Sequence, residues 1–409
     1  MSETSVNTTS GGGQFNQEWI HQGRESSRGR LLIASCRSGD YMARRVAEDY
    51  RRRVVEAGGN QQDVALLQSI DFQFSDGETG ARLEEDVSGT DAFLFQSLAD
   101  PRSDRSIDQN LMALLVSVRA LRHWGANYVT VVLPYLAYSR QDRPTKFRRE
   151  PTTAQLVADL IKEAGASRVV TWHMHSERIR GFYGSTPVDA LEAVGMFVRL
   201  YQRFAGRDDV IAISPDTGAT KFVTRIAREL GIRAAVTAKF RPRPEEAQVS
   251  DIMGDFEGKR VAIIIDDMIS TGGTVSEVAR RLVEDKGIEE IYIGVSHNLC
   301  NPAARERLQE LRESYGLQEV VVTNSIPQTD LLRSLPYLTV VDLSETFSRV
   351  INCIHYNRSL QDPFYGETRD VPRISPEEDF DYEEGNQVTL GSELSFPASD
   401  PPSWTGSTS

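Results

Sequence analysis

The chain is short of cysteine, of cationic charge and of long apolar runs, and each shortage removes a class of function. Its three cysteines, Cys36, Cys300 and Cys353, are far apart and odd in number. That pattern excludes a disulfide framework and a cysteine zinc site, and is the usage expected of reducing cytoplasm. No apolar run approaches the roughly 20 residues of a membrane span, and the polar N-terminus does not have the form of a signal peptide, so no membrane partner is expected. The net charge is −13, with 46 Lys and Arg against 59 Asp and Glu. Residues 363–409 hold ten of the acidic and two of the basic residues, which leaves −5 for residues 1–362. This excludes a general nucleic-acid surface. It leaves room for a local basic pocket that takes phosphates.

What is present is a globular composition, 39% hydrophobic and 26% charged over 409 residues, long enough for two domains with real cores. Residues 1–29 are rich in Ser, Thr, Gly and Asn and are expected to be disordered. Folded pattern starts with a strand over 30–35 and a helix over 40–56, where Met42, Val46, Tyr50 and Val54 recur every four residues. Strands over 91–97, 128–133 and 168–172 follow, with helices over 108–123 and 152–164 between them. A second series runs through strands 210–214, 233–237, 261–265, 291–295, 319–323 and 337–343, with helices over 221–230, 303–315 and 345–354. Strands spaced by helices of this length imply parallel βαβ units. The two series meet around 185–208, which predicts domains over 30–190 and 191–362. The Pro-, Ser- and acid-rich stretch 363–409 is expected to be a disordered, solvated tail.

The most informative stretch is Val261 to Thr274, VAIIIDDMISTGGT. Five apolar residues read as a strand buried on both faces, with Asp266 and Asp267 where it would end. Thr271, Gly272, Gly273 and Thr274 then open an amphipathic helix. Glycines let backbone N–H groups close around a phosphate, threonine hydroxyls add donors, and a helix N-terminus adds partial positive charge. Carboxylates would repel that phosphate but suit the hydroxyls of a sugar, or a metal. A sugar phosphate satisfies both halves; an ordinary capped strand–turn–helix is the plainer alternative.

This stretch resembles the ribose 5-phosphate loop shared by type I phosphoribosyltransferases and ribose-phosphate pyrophosphokinases. Other segments favour the second family. Phe74-Ser75-Asp76-Gly77-Glu78 is similar to a loop that, in the pyrophosphokinases, lends Phe74, Asp76 and Glu78 to ATP. Pro134-Tyr135 followed by Arg140-Gln141-Asp142, then Glu150-Pro151, is similar to another, so Arg140, Gln141 and Asp142 are implied in ATP binding. Arginine forks suit triphosphate oxygens and can stack on adenine. Trp172-His173-Met174-His175 resembles the family's Asp-Leu-His, and Ser214-Pro215-Asp216 its Ser-Pro-Asp. The resemblance therefore implies His175 and Asp216 as the Mg²⁺ site, with Mn²⁺ as an alternative ion. Lys239-Phe240-Arg241-Pro242 is similar to Lys-Arg-Arg-Pro, whose first and third residues stabilise the transferring group. That implies Lys239 and Arg241 as catalytic, on a loop expected to be mobile.

Spanning residues 30–355 in order, the resemblance implies an α/β protein of two side-by-side phosphoribosyltransferase-like (Rossmann-like) domains, with parallel sheets flanked by helices. It implies a homo-oligomer, dimer-based and up to hexameric, making PRPP and AMP from ATP and ribose 5-phosphate for nucleotide biosynthesis. Asp266 and Asp267 would hold the ribose, and Ser270, Thr271, Gly272, Gly273 and Thr274 the 5-phosphate. The sequence departs from the family at His173, Gly184 and Ser270, where aspartate is usual. These departures keep a catalytically weakened paralogue in view, with His173 a candidate for altering metal choice; a phosphoribosyltransferase is the remaining rival.

Overall fold

The computed structural model describes residues 26–145, 147–243, 246–360 and 373–374. Its first half comprises β1 (Arg30–Ser35), α1 (Asp40–Glu56), β2 (Ala65–Leu67), β3 (Asp71–Gln73), β4 (Thr79–Ala81), β5 (Thr90–Phe95), α2 (Ile107–His123), β6 (Tyr128–Leu133), α3 (Thr153–Ala164), β7 (Arg168–Trp172) and β8 (Val188–Leu191). The second half comprises α4 (Val194–Leu200), β9 (Val210–Ser214), α5 (Thr220–Leu230), β10 (Arg233–Arg243), β11 (Glu246–Met253), β12 (Val261–Ile269) and α6 (Gly273–Lys286). It continues with β13 (Glu290–Asn298), α7 (Pro302–Ser314), β14 (Leu317–Thr323), α8 (Asp330–Arg333), β15 (Leu338–Val341) and α9 (Ser344–His355).

Local chemistry sets several of these boundaries. Helix α2 opens on a capping box, in which Ser106 and Gln109 satisfy each other's backbone N–H groups. Helix α3 ends where Gly165 turns left-handed at φ 113°.

The strands form two sheets. One is six-stranded and parallel in the order β2-β1-β5-β6-β7-β8. The other is seven-stranded in the order β11-β10-β9-β12-β13-β14-β15, parallel except at the β10–β11 edge. A single apolar cluster joins their facing sides, running from Ile33 and Phe93 through Phe197 and Tyr201 to Ile263 and Phe347. Fully burying each such side chain contributes about 1.5–3 kcal/mol, so the halves share a core as well as a border. Gly294 on β13 lies under that cluster, where an added Cβ would sit 2.6 Å from the Tyr201 hydroxyl and 2.8 Å from the Phe197 ring.

The structure corrects four expectations. β12 runs on through Ile269, so Asp266 and Asp267 lie within the strand. The reason is that β13 also runs on, giving their backbone a partner as far as the Ile269–Asn298 pair. The segment after residue 237, expected to be a loop, instead continues β10 into an antiparallel hairpin in which Lys239 pairs with Val249 and Arg243 with Glu246. Residues 26–29, assigned to a disordered extension, are folded, because Arg28 is buried against Asp91. Within the acidic tail, Arg373 bridges Val341 and Ile374 packs on the second sheet's core, so position 363 does not begin uniform disorder. Residues 1–25, 363–372 and 375–409 lie outside the described residues, as does Lys146 of the basic loop.

Candidate functional site

Parallel sheets place ligands beyond the carboxyl ends of their strands. Here the ends of β7 from one sheet and of β12 and β13 from the other come together. The chain leaves β7 at Trp172 and turns sharply, with His173 in the left-handed region at φ 39°. Two residues on, His175 Nδ1 hydrogen-bonds Asp267 Oδ2 across the boundary. This contact raises the His175 imidazole above its ordinary pKa, against the opposing effect of burial. Burial alone would raise Asp267, but His175 outweighs it and holds that carboxyl below its usual range.

Asp266 behaves differently. Burial first, and then the charges of Asp267 and Asp216, push its carboxyl well above the usual value. Asp266 is therefore the carboxyl that lacks compensation, and a cation or a set of sugar hydroxyls would supply it. Asp216 also has the plainer role weighed for it, since its Oδ1 accepts the N–H groups of Gly218 at 2.9 Å and Ala219 at 3.1 Å near the start of α5. No three His, Cys, Asp or Glu side chains among the described residues converge as a ready metal cage.

Beside the carboxylates, β12 hands over to α6 through Ser270 to Thr274. Gly272 adopts φ 77° at the helix N-cap, a conformation that favours glycine. The sequence reading missed Arg307 on α7, which donates to the Thr271 carbonyl. Its guanidinium also lies 3.8 Å from where a Gly273 Cβ would stand. An arginine in a polar helix 36 positions along the chain carries no sequence signal that would attach it to this loop.

From the first half, the loop after β6 brings Arg140 and Asp142 close enough for their charges to act on His175. Gln141 is committed locally, its Oε1 accepting from Thr153 Oγ1 at 2.6 Å. Phe74, Asp76 and Glu78 form the turn of the β3–β4 hairpin, where Phe74 N–H donates to the Glu78 carbonyl at 2.8 Å and Glu78 N–H to Asp76 Oδ1 at 3.1 Å. Phe74 is 53% exposed, and no hydrogen bond or ion pair among the described residues ties this turn to the boundary site. Lys239 and Arg241 lie on the first strand of the β10–β11 hairpin.

Behind the site is a polar cluster that the sequence reading also missed. His173 Nδ1 bonds Ser296 Oγ, His297 Nε2 bonds the His173 carbonyl at 3.1 Å, and His297 Nδ1 bonds Ser325 Oγ at 2.8 Å. A lone His in an apolar strand such as β13 reads as ordinary core, so only the tertiary structure reveals its partners.

Comparison with known proteins agrees with this geometry. Residues 31–165 match the N-terminal domain of ribose phosphate pyrophosphokinase, and residues 228–365 the phosphoribosyl synthetase-associated domain. A ribose-phosphate pyrophosphokinase from Fusobacterium nucleatum is 35% identical over 315 residues, which cover 76% of this chain and 94% of that protein. One from Listeria ivanovii is 36% identical over 316 residues, covering 76% and 94% respectively. The crystal structure of a phosphoribosylpyrophosphate synthetase from Mycobacterium smegmatis superposes with a TM-score of 0.68 at 31% identity, covering 80% of this chain and 99% of the other.

Proposed function

This chain belongs to the ribose-phosphate pyrophosphokinase family, and from that premise we propose that the boundary between its sheets transfers the β,γ-diphosphoryl group of ATP to the anomeric hydroxyl of ribose 5-phosphate. The new bond joins the ribose oxygen to the β-phosphorus, the bond from that phosphorus to the α-phosphate oxygen breaks, and the hydroxyl proton passes to solvent. PRPP and AMP are the products. The observation that carries this reading is the meeting of His175, with Arg140 and Asp142 beside it, and Asp267 of the sugar-phosphate loop.

Each group has a role suited to its chemistry. Ser270, Thr271, Gly272, Gly273 and Thr274 hold the 5-phosphate, with Arg307 bracing the loop. Asp266 and Asp267 accept hydrogen bonds from the ribose hydroxyls. Arg140, Gln141 and Asp142 hold ATP. Phe74, Asp76 and Glu78, projecting on their hairpin, reach the ATP of a second copy of the chain in a homo-oligomer. Lys239 and Arg241 approach the diphosphoryl group as it transfers, where fixed cations matter most. The group needs no covalent intermediate, because positioning and electrostatics lower the barrier. His175 and Asp216 would hold Mg²⁺, or Mn²⁺ in its place; the ion supplies positive charge to the polyphosphate. Residues 30–190 and 191–362 act as the ATP-side and ribose-side domains of a cytoplasmic enzyme. No described helix is long and apolar enough to cross a membrane.

The test is to follow AMP and PRPP formation from ATP and ribose 5-phosphate with either metal. Saturable turnover is expected, falling by about 10³ in Lys239→Ala. Absence of turnover with both metals would overturn the reading.

A further inference from the structure

His173 stands where the family usually has aspartate, and the surrounding contacts give it work that an aspartate could not do. Its ring packs on Phe222 of α5 at a centroid separation of 4.3 Å, and its Nδ1 reaches Ser296 on β13. Both contacts cross from the first half of the chain to the second. Its backbone carbonyl is held as well, by His297 Nε2 at 3.1 Å.

The hydrogen-bond directions around His297 can be worked out. Burial keeps His297 below its ordinary pKa, so it is neutral. A carbonyl can only accept, so Nε2 carries the proton and donates to His173. Nδ1 must then accept, and the Ser325 hydroxyl at 2.8 Å donates to it. The Ser296 carbonyl lies 3.1 Å from Ser325 Oγ and already accepts from Thr323 Oγ1 at 2.6 Å, but the Ser325 proton goes to the imidazole because Nδ1 has no proton of its own to give. Ser296, His297, Thr323 and Ser325 are all buried, so each bond is made away from competing water.

β12 and β13 are paired neighbours, with Met268 opposite His297. The His173–His175 turn is therefore gripped twice, by β13 through His173 and by β12 through the His175–Asp267 contact. We propose that His173 is a positioning residue. Its side chain on Ser296 and its carbonyl on His297 clamp the turn after β7 to the second sheet, and this clamp sets where His175 stands against Asp267. The positive φ of His173 is the strain that the clamp holds in place. Metal ligation through Nδ1 is not part of this role, because Ser296 engages that nitrogen.

The inference rests on the pyrophosphokinase reading for its kinetic consequence, but not for its geometry. The test is a cycle of His173→Ala, Ser296→Ala and the double variant, with Ser296→Thr as the conservative control. Expected is a drop in kcat of about tenfold for each single variant, the usual size for loss of a supporting partner. The double variant should be no worse than the weaker single, KM for ATP should move less than kcat, and Ser296→Thr should recover most of the rate. The His175 ring signals in ¹⁵N-edited NMR of the ligand-free full chain should shift in Ser296→Ala and return in Ser296→Thr. Multiplicative losses in the cycle would overturn the clamp, as would an unmoved His175 signal or a Mn²⁺ preference that disappears only in His173→Ala. Failure of the wild-type protein to turn over would sink the enzymatic reading instead, and the NMR comparison would still decide the clamp.

Discussion

Two His–Asp pairs join the halves of this molecule, one at each end of the sheets. At the amino end, Asp91 on β5 receives a two-pronged bond from Arg28, 2.9 Å at each oxygen, and a third contact from His355 of α9 at 2.9 Å. Its side chain is fully buried, and the Arg28 guanidinium also covers the Tyr128 ring at 4.0 Å. At the carboxyl end, Asp267 has His175, but it also has Asp266 beside it and Asp216 within range of that neighbour. The first carboxylate is surrounded by donors and the second by further acids. Identical residue pairs thus serve different ends: Asp91 is a closed structural joint, whereas the His175–Asp267 pair leaves Asp266 beside it uncompensated, with charge for a ligand to satisfy.

Swapping the same substitution between the two pairs should separate them most strongly. Asp267→Asn is expected to lower kcat/KM by about 10²–10³ and to cost less stability in urea than the corresponding change at Asp91. Asp91→Asn should leave kcat near wild type below the transition but cost about 3 kcal/mol of stability, because Arg28 is left buried beside a neutral group. Equal behaviour of the two variants in either assay would erase the distinction. A smaller effect belongs to Arg307→Ala, expected to raise KM for ribose 5-phosphate by about tenfold, the worth of one charged hydrogen bond. An unchanged KM would detach Arg307 from the phosphate loop.

Smaller again is Asp266→Asn. Its raised pKa means the folded state binds the proton more tightly than the unfolded chain does. The penalty is therefore absent at low pH and grows as pH rises above about 4. Removing the charge should raise the melting temperature of the ligand-free protein near neutrality by about 2 °C while weakening ribose 5-phosphate binding. A fall in melting temperature would show that the acidic group is already compensated. The finest test is titration. His175 is raised, so its contribution is complete below about 6.5 and fades as pH rises through its folded value. Asp267 is lowered, so its share is present above about 4 and lost on acidification. The pair therefore stabilises most between those limits, and Asp267→Asn should bring the NMR midpoint of His175 downward.

Much of this was legible in the sequence because it depends on local pattern. The runs at Arg30–Ser35, Tyr128–Leu133 and Arg168–Trp172 gave strands with those bounds, since each is apolar, short and flanked by helix or turn signals. Gly272 and Gly273 marked the turn proposed to hold the 5-phosphate because glycines let backbone N–H groups close on a ligand, and Gly272 is indeed left-handed at the helix N-cap. The short strands β2 and β4 went unseen, as did β11, because so few residues show no period and their pairing is supplied by neighbouring strands. β12 was read too short for the same reason, its last residues being strand only because β13 lies alongside.

The sequence by itself determined the α/β alternation, the polar chemistry of the sugar-phosphate loop and the family, since these rest on residues close together along the chain. Which carboxylates are left uncompensated was decided only by tertiary structure. Asp91 is built in by Arg28 and His355, 63 and 264 positions away, whereas Asp266 and Asp267 are pressed together with Asp216. The clamp on His173 is likewise tertiary, because Ser296 lies 123 positions along the chain. Local propensity carries no information about such partners; only the packing of two sheets over one core brings them within hydrogen-bonding distance.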